Sequence, residues 1–280
     1  MYKQLKQINK KPKAFEYYTA NSLWTDPYRA KQMLEYHLNK DINLASRNKN
    51  FIDNSIKWII SNFNIENNSK ICDFGCAIGL YTTPLAKTGA KVTGIDFSKN
   101  SLEYAKNIAK KQNLDINYID KNYLEYKSDE KYNLITMIMC DFCVLSPNQR
   151  KALLNKFYNL LDKDGKVLLD VSSLKAFKQV KENVSYEQNQ LNSFWSKNDY
   201  YTFLNTFKYE DEKVSLDKYT IIEEDNNIYE IYNWFQYYDI KSLQKELKDS
   251  NLEIESVYKD VAGNQYDENY SEFAVVISKI

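Results

Sequence analysis

The sequence predicts an α/β fold: a mostly parallel sheet with helices on both faces, preceded by an N-terminal helical cap and interrupted by an inserted antiparallel β meander. Three observations carry that expectation. Between Lys70 and Val171 short strand-like runs alternate with helical patterns, and the runs are continuously apolar, as strands covered on both faces are. Glycine is scarce, six in 280 residues where average usage of about 7% would give about 20, yet Gly75, Gly79, Gly89 and Gly94 crowd into one stretch. From Asp199 to Gln236 the pattern changes to longer strands separated by polar turns.

Residues 1–50 are polar and aromatic, with a helical stretch around Tyr28 to Leu38 and no strand pattern, and read as the cap. Ile52, Ile56, Ile59, Ile60 and Phe63 follow helical spacing, with Asp53 or Asn54 available to cap the start. The core, over 51–180 and 238–280, then begins in earnest. Lys70 to Phe74 is a strand, Leu80 to Thr88 a helix closed by Gly89, Lys91 to Asp96 a second strand. Ser98 caps a helix carrying Leu102, Ala105, Ile108 and Ala109; strands Ile116 to Ile119 and Asn133 to Met139 follow. Ser146-Pro147-Asn148-Gln149 is a capping box with proline at the first helical position, and Leu153, Leu154, Phe157, Leu160 and Leu161 mark that helix's apolar side. Asp164-Gly165 turns into strand Lys166 to Val171. The insert, 181–237, holds strands Tyr200 to Tyr209, Lys213 to Glu223 and Ile228 to Gln236. Asp239 caps a last helix, and Glu253 to Tyr258 with Glu272 to Ile280 form a closing antiparallel pair.

Composition excludes several functions. Lys+Arg and Asp+Glu balance at 38 each, so no positive field exists to hold nucleic acid, and the single histidine excludes a His-rich metal cage. No run reaches the roughly 18 uncharged apolar residues of a membrane span, and basic Met1 to Lys13 has no apolar stretch after it, so no membrane association and a cytoplasmic location are expected. Four cysteines fit reduced thiols; Cys140-x-x-Cys143 has no second pair, and no metal is expected. Nothing in the pattern sets an oligomeric state.

The chemistry lies in Asp73-Phe74-Gly75-Cys76-Ala77-Ile78-Gly79, where the first strand meets the first helix. Ligands of open α/β sheets bind at the carboxyl ends of the strands, where glycine lets the backbone approach. A dinucleotide fingerprint needs G-x-G-x-x-G, but the positions are Gly75, Ala77 and Leu80. Asp73 would repel a pyrophosphate and could instead accept a hydrogen bond from an ammonium group. Asp96, ending the second strand, can take both hydroxyls of a ribose.

These motifs resemble the class I S-adenosylmethionine-dependent methyltransferases, whose loop reads D-x-G-C-G-x-G and whose second strand ends in an acid. The resemblance covers Ile52 to Val171 well and the insert only generally. It implies a Rossmann-like seven-stranded sheet, S-adenosylmethionine as cofactor with S-adenosylhomocysteine as product, and a small-molecule methyl acceptor with a nitrogen or oxygen nucleophile. Gly75, Cys76, Ala77 and Gly79 would form the loop, Asp73 the methionine end, Asp96 the ribose contact and Phe97 an adenine flank. Ala77 stands where the family usually has glycine. Asn122, beside Tyr123, would accept the adenine amino hydrogen bond, with Asp120 as the alternative. Cys140 and Asp141, after the fourth strand, would border the sulfonium, with Asp141 positioning the acceptor. Were the cap to fold over the pocket, His37 would be the general base and Arg47 a clamp on the cofactor carboxylate. The aromatic insert, with Trp195 and Trp234, reads as a lid. The other readings are a protein or tRNA methyltransferase and a regulator that binds the cofactor without turnover.

Overall fold

The computed structural model describes residues 2–39 and 46–280. The cap has helices α1 (Tyr2–Ile8), α2 (Ala20–Thr25) and α3 (Pro27–Leu38), the last opened by Pro27 and by Asp26, whose carboxylate accepts the Tyr28 and Arg29 N–H groups. Helix α4 (Lys49–Asn62) leads into the core; it starts earlier than the apolar spacing suggested because Asn48, not Asp53 or Asn54, accepts the Phe51 N–H.

The core runs β1 (Lys70–Phe74), α5 (Thr82–Ala86), β2 (Lys91–Asp96), α6 (Lys99–Lys111), β3 (Ile116–Asp120), β4 (Tyr132–Met137), a 3-10 turn at Asp141–Val144, α7 (Pro147–Leu160) and β5 (Leu161–Ser172). After α8 (Leu174–Gln179) the insert contributes β6 (Asn183–Gln188), β7 (Tyr200–Tyr209), β8 (Val214–Glu223) and β9 (Ile228–Gln236); α9 (Ile240–Lys248), β10 (Leu252–Tyr258) and β11 (Glu272–Lys279) close the chain. The main sheet has seven strands in the order β10-β11-β5-β4-β1-β2-β3. Strands β1 to β5 pair in parallel, and β11 joins β5 antiparallel. Strand order reverses between β1 and β4, which opens a crevice at their carboxyl ends.

Two apolar layers hold this sheet. Phe74, Met137, Phe157, Leu169, Leu243 and Phe273 bury one face; Ile59, Ile71, Leu85, Val92, Leu134 and Leu168 bury the other. Each such side chain contributes roughly 1.5–3 kcal/mol. Two boundaries differ from the sequence reading for local reasons. Leu161 leaves α7 and pairs with Tyr132, with a register shift before Leu134 meets Lys166, so β5 starts five residues early. Strand β4 stops at Met137 because Met139 and Cys140 take left-handed backbone angles (φ 81° and 57°), which turns Asp141 back across the strand ends.

The insert is a four-stranded antiparallel sheet, β6-β7-β8-β9, one strand more than expected. β6 is an exposed edge strand and carries no burial alternation to be read. Its aromatic face does not lie over the crevice as the lid reading had it. It grips the cap instead: Phe194, Trp195, Tyr200, Ile221 and Ile231 pack with Leu23, Met33 and Tyr36, while Tyr209, Val214, Leu216 and Trp234 pack with Ala14 and Phe15. Trp234 Nε1 donates to the Tyr17 carbonyl at 2.7 Å, the Tyr232 N–H to Thr19 Oγ1 at 2.7 Å, and Tyr28 Oη to the Ser193 carbonyl at 2.8 Å. Buried Arg150 of α7 joins these parts to the core. It makes two hydrogen bonds to Glu246, one to the Leu145 carbonyl and one to Gln236, and stands over the rings of Phe15 and Tyr238.

Candidate active site

At the carboxyl ends of β1, β2 and β4 lies a cavity of about 240 Å³. Its floor is the sheet and the glycine loop, with Asp73, Gly75, Cys76, Ala77, Asp96, Phe97, Tyr123 and Asp141; its roof is the cap, with Tyr18, Trp24, Met33, His37, Ser46 and Arg47. No residue of the insert reaches the wall.

The loop is shaped by its backbone. Gly75 and Gly79 both have φ of +80°, and a Cβ on Gly75 would stand 2.5 Å from Asp141 Oδ2. Gly79 is not on the wall: a Cβ there would strike Tyr118 Oη, which is hydrogen-bonded to Thr82, so this glycine serves loop-to-helix packing rather than a ligand. Ala77 keeps a left-handed φ of +44° despite its methyl group, a conformation costing roughly 1–2 kcal/mol for a non-glycine residue. That backbone turn aims the Ala77 N–H at Asp96 Oδ2 (2.9 Å), while the Ser98 N–H donates to Asp96 Oδ1 (2.8 Å). Each carboxylate oxygen keeps acceptor capacity for a diol. Burial raises the Asp96 carboxyl above its usual range, and those N–H donors work against the rise.

Asp73 is 4% exposed, accepts the Thr136 hydroxyl at 2.7 Å and is pushed by burial up to about 7. Asp170, on β5 behind the wall, rises to about 6 by burial, although it accepts the Cys140 N–H. Asp141 rises furthest, to about 8, by burial first and then by the charges of Asp96, Asp170 and Asp73. It differs in another respect: among the described residues no donor reaches its carboxylate.

The cap brings His37 to the wall, 6% exposed and stacked on Trp24 with ring centroids 6.2 Å apart. Its Nδ1 shares a hydrogen bond with Ser46 Oγ at 2.7 Å, its Nε2 is buried without a partner, and burial lowers it to about 4, so the ring is neutral at physiological pH. Arg47 also lines the cavity, but its guanidinium is committed to Glu272 and stands 3.9 Å from Asp170. Burial opposes its charge, yet those acids hold it more firmly protonated. Only its Nε is left buried and unpartnered. Cys140, Asp170 and Glu272 place three donor atoms within 4.8 Å of one another, and Arg47 supplies a cation there.

Two further residues of the sequence reading lie off the cavity wall. Asn122 turns its amide oxygen to the Leu124 N–H (2.9 Å), closing an Asx turn, and is not on the wall; Tyr123 is. Cys140 sits behind the wall, where its φ and its N–H serve the turn and Asp170, and Cys143 accepts the Ser172 N–H. Tyr18, Trp24, Met33 and Tyr81 line the cavity without having been singled out; in a chain with 24 tyrosines no local pattern marks Tyr18 or Tyr81. Tyr81 is buried beside Ser55.

The cavity's donors and acceptors fit the cofactor that the loop suggested. Asp96 retains lone pairs, Gly75 leaves a cradle, and Arg47 Nε and His37 Nε2 are buried polar atoms without a hydrogen-bond partner among the described residues. The sheet order, glycine turn and acidic strand end are those that the class I S-adenosylmethionine-dependent methyltransferase resemblance implied. Residues 71–165 match the methyltransferase-domain family model. A Geobacillus sp. protein named as a methyltransferase is 30% identical over 131 residues, 45% of this chain and 53% of its own length. The Rickettsia felis ubiquinone biosynthesis O-methyltransferase is 36% identical over 80 residues, 29% of this chain and 33% of that protein. The chain thus spans about half the length of the first of these relatives and a third of the second. Among solved structures, an S-adenosylmethionine-dependent methyltransferase from Clostridium acetobutylicum aligns with TM-score 0.67 at 15% identity, covering 89% of this chain and 99% of that one. The sugar N-methyltransferase KedS8 from Streptoalloteichus sp. aligns with TM-score 0.56 at 9% identity, covering 87% and 91%. At such identities the structures share the fold. Among the described residues no helix is long and apolar enough to cross a membrane.

Proposed function

We propose that the chain transfers a methyl group from S-adenosylmethionine to a nitrogen or oxygen nucleophile of a small-molecule acceptor by direct in-line displacement. The observation that carries this reading is the roof: Tyr18, Trp24, Met33 and His37 lie over the strand ends, so the space beside the glycine loop is a partly roofed pocket. Such a pocket suits a small acceptor and disfavours the protein or tRNA alternative. The names of two relatives, an O-methyltransferase of ubiquinone biosynthesis and a sugar N-methyltransferase, agree with small acceptors.

Bound S-adenosylmethionine supplies a methyl group already activated on a sulfonium. The chain's residues orient the partners and exclude water. Asp96 would hold the ribose hydroxyls, Phe97 and Tyr123 flank the adenine, Asp73 take the methionine ammonium and Arg47 Nε its carboxylate. His37 and Asp141 face the remaining space. An imidazole held near 4 is a weak proton acceptor at neutral pH, so His37 is better suited to orienting the acceptor through Nε2. Asp141, raised by burial to about 8, is closer to the operating pH.

Calorimetry with S-adenosylhomocysteine tests the reading, followed by incubation with S-adenosylmethionine and a small-molecule library with mass detection. Binding with a mass gain of one methyl on a library member supports it. Binding with no acceptor turned over favours the non-catalytic regulator, and absence of binding rejects both.

A further inference from the structure

Three carboxylates line the cavity, Asp73, Asp96 and Asp141, with Asp170 behind its wall, and all but Asp141 are hydrogen-bonded within the chain. Asp73 accepts from Thr136, Asp96 from two backbone N–H groups, and Asp170 from the Cys140 N–H with Arg47 at 3.9 Å. Asp141 is the exception: it lines the cavity, lies against Gly75 and has no donor among the described residues. The cations of the cavity are committed elsewhere, since Arg47 is paired with Glu272 and His37 is neutral. A carboxylate, phosphate or phenolate acceptor would therefore meet acids with no free cation among the described residues that line the cavity.

We propose that the methyl acceptor is a basic amine, received as its ammonium by the Asp141 carboxylate and deprotonated by it before attack. The proposal rests on the methyltransferase reading of the same site and names its substrate class. The groups facing Asp141 are Asp73 from β1, Asp96 from β2, Asp170 from β5, Tyr18 from the cap and Tyr123 after β3. All are acids or phenols, and with Asp73, Asp96 and Asp170 already bonded, Asp141 is the acid left to take a positive guest beside the cofactor. Tyr18 and Trp24 add aromatic surface, which favours a cation beside an apolar body.

The step balances. The ammonium gives one proton to Asp141, leaving a neutral amine and a carboxylic acid. The amine lone pair then forms the N–CH3 bond while the methyl–sulfur bond breaks, its electron pair remaining on sulfur as a neutral thioether. The methylated ammonium leaves, and Asp141 returns its proton to water. Burial of Asp141 beside other acids raises its basicity toward this task.

The test titrates 2-phenylethylamine, 2-phenylethanol and phenylacetate, one skeleton with three end groups, into the protein saturated with S-adenosylhomocysteine. The amine is expected to bind at least tenfold tighter than the alcohol, with the acid weakest, and to gain one methyl when S-adenosylmethionine replaces the product. Asp141→Asn should erase the tenfold preference for the amine over the alcohol; Asp141→Ser carries the same comparison should the amide variant fold poorly. Equal binding of the three probes, no amine binding, methylation of the alcohol in preference, or a preference unchanged in the variant overturns the proposal. Absence of S-adenosylhomocysteine binding appears in the first titration, before any amine is added, and is a failure of the cofactor reading instead.

Discussion

The floor and the roof of the cavity are made differently. On the floor, the acids that would meet the cofactor are already tied to their own chain, Asp96 by the Ala77 and Ser98 N–H groups and Asp73 by Thr136. On the roof, His37 Nε2 and Arg47 Nε are buried with no hydrogen-bond partner among the described residues. The floor is preorganised by local backbone geometry, and the roof is assembled from distant sequence, with the insert holding it from behind. A site of this kind can keep its cofactor chemistry constant while the roof changes the acceptor.

The joint between the halves should give the largest effect. Arg150→Ala strands Glu246 and removes the bonds to Gln236 and the Leu145 carbonyl, and should destabilise the protein by about 3 kcal/mol in urea unfolding. A loss under about 1 kcal/mol would mean that the halves are held together elsewhere. Next comes the floor: Asp96→Ala should weaken S-adenosylhomocysteine by about 1.5–3 kcal/mol in calorimetry, and wild-type affinity would remove Asp96 from the site. For the roof, Trp234→Phe loses the bond to the Tyr17 carbonyl, about 1 kcal/mol of stability, and should raise the KM for the acceptor while cofactor affinity holds. Equal changes in both affinities would erase the distinction between floor and roof. Of similar size and opposite sign, Ala77→Gly should stabilise by about 1 kcal/mol by releasing the left-handed strain, read as a rise in Tm.

Protons offer a finer probe. Asp73, Asp141 and Asp170 have raised folded values of about 7, 8 and 6, so between the ordinary carboxyl range near 4 and these values the folded state binds more protons than the unfolded one. Their contribution to stability falls as pH rises through that window. His37, lowered to about 4, acts oppositely between about 4 and its ordinary 6.5, but it is one group against three. A sulfonium or ammonium guest favours the ionised acids, so S-adenosylmethionine binding at pH 7 should release protons, more than the uncharged thioether product does. Calorimetry in two buffers of different ionisation enthalpy measures this; equal proton release by the two ligands would contradict it.

The floor was legible because its signals are local. A strand end, a glycine turn and an acid at the next strand end sit within residues 73–96, and the backbone angles at Gly75 follow directly from residue type. Where the sequence reading slipped, a tertiary contact decided. Gly79 answers to Tyr118, Asn122 to its own Asx turn, and Cys140 to the left-handed turn that presents Asp141. The insert was read as a lid because aromatic periodicity states only that a face is covered, not by what. Tyr18 and Trp24 reach the cavity only because strands β7 to β9 hold the cap from behind, and no spacing in the first fifty residues encodes that.

Hydrogen exchange with and without S-adenosylhomocysteine tests most directly whether the cap, rather than the insert, closes over the cofactor. Slowed exchange is expected both in the floor, over 73–81 and 96–101, and in the roof, over 18–37, with the strands 200–236 unchanged. Slowing in the strands with 18–37 unaffected, or no slowing anywhere, would contradict the account.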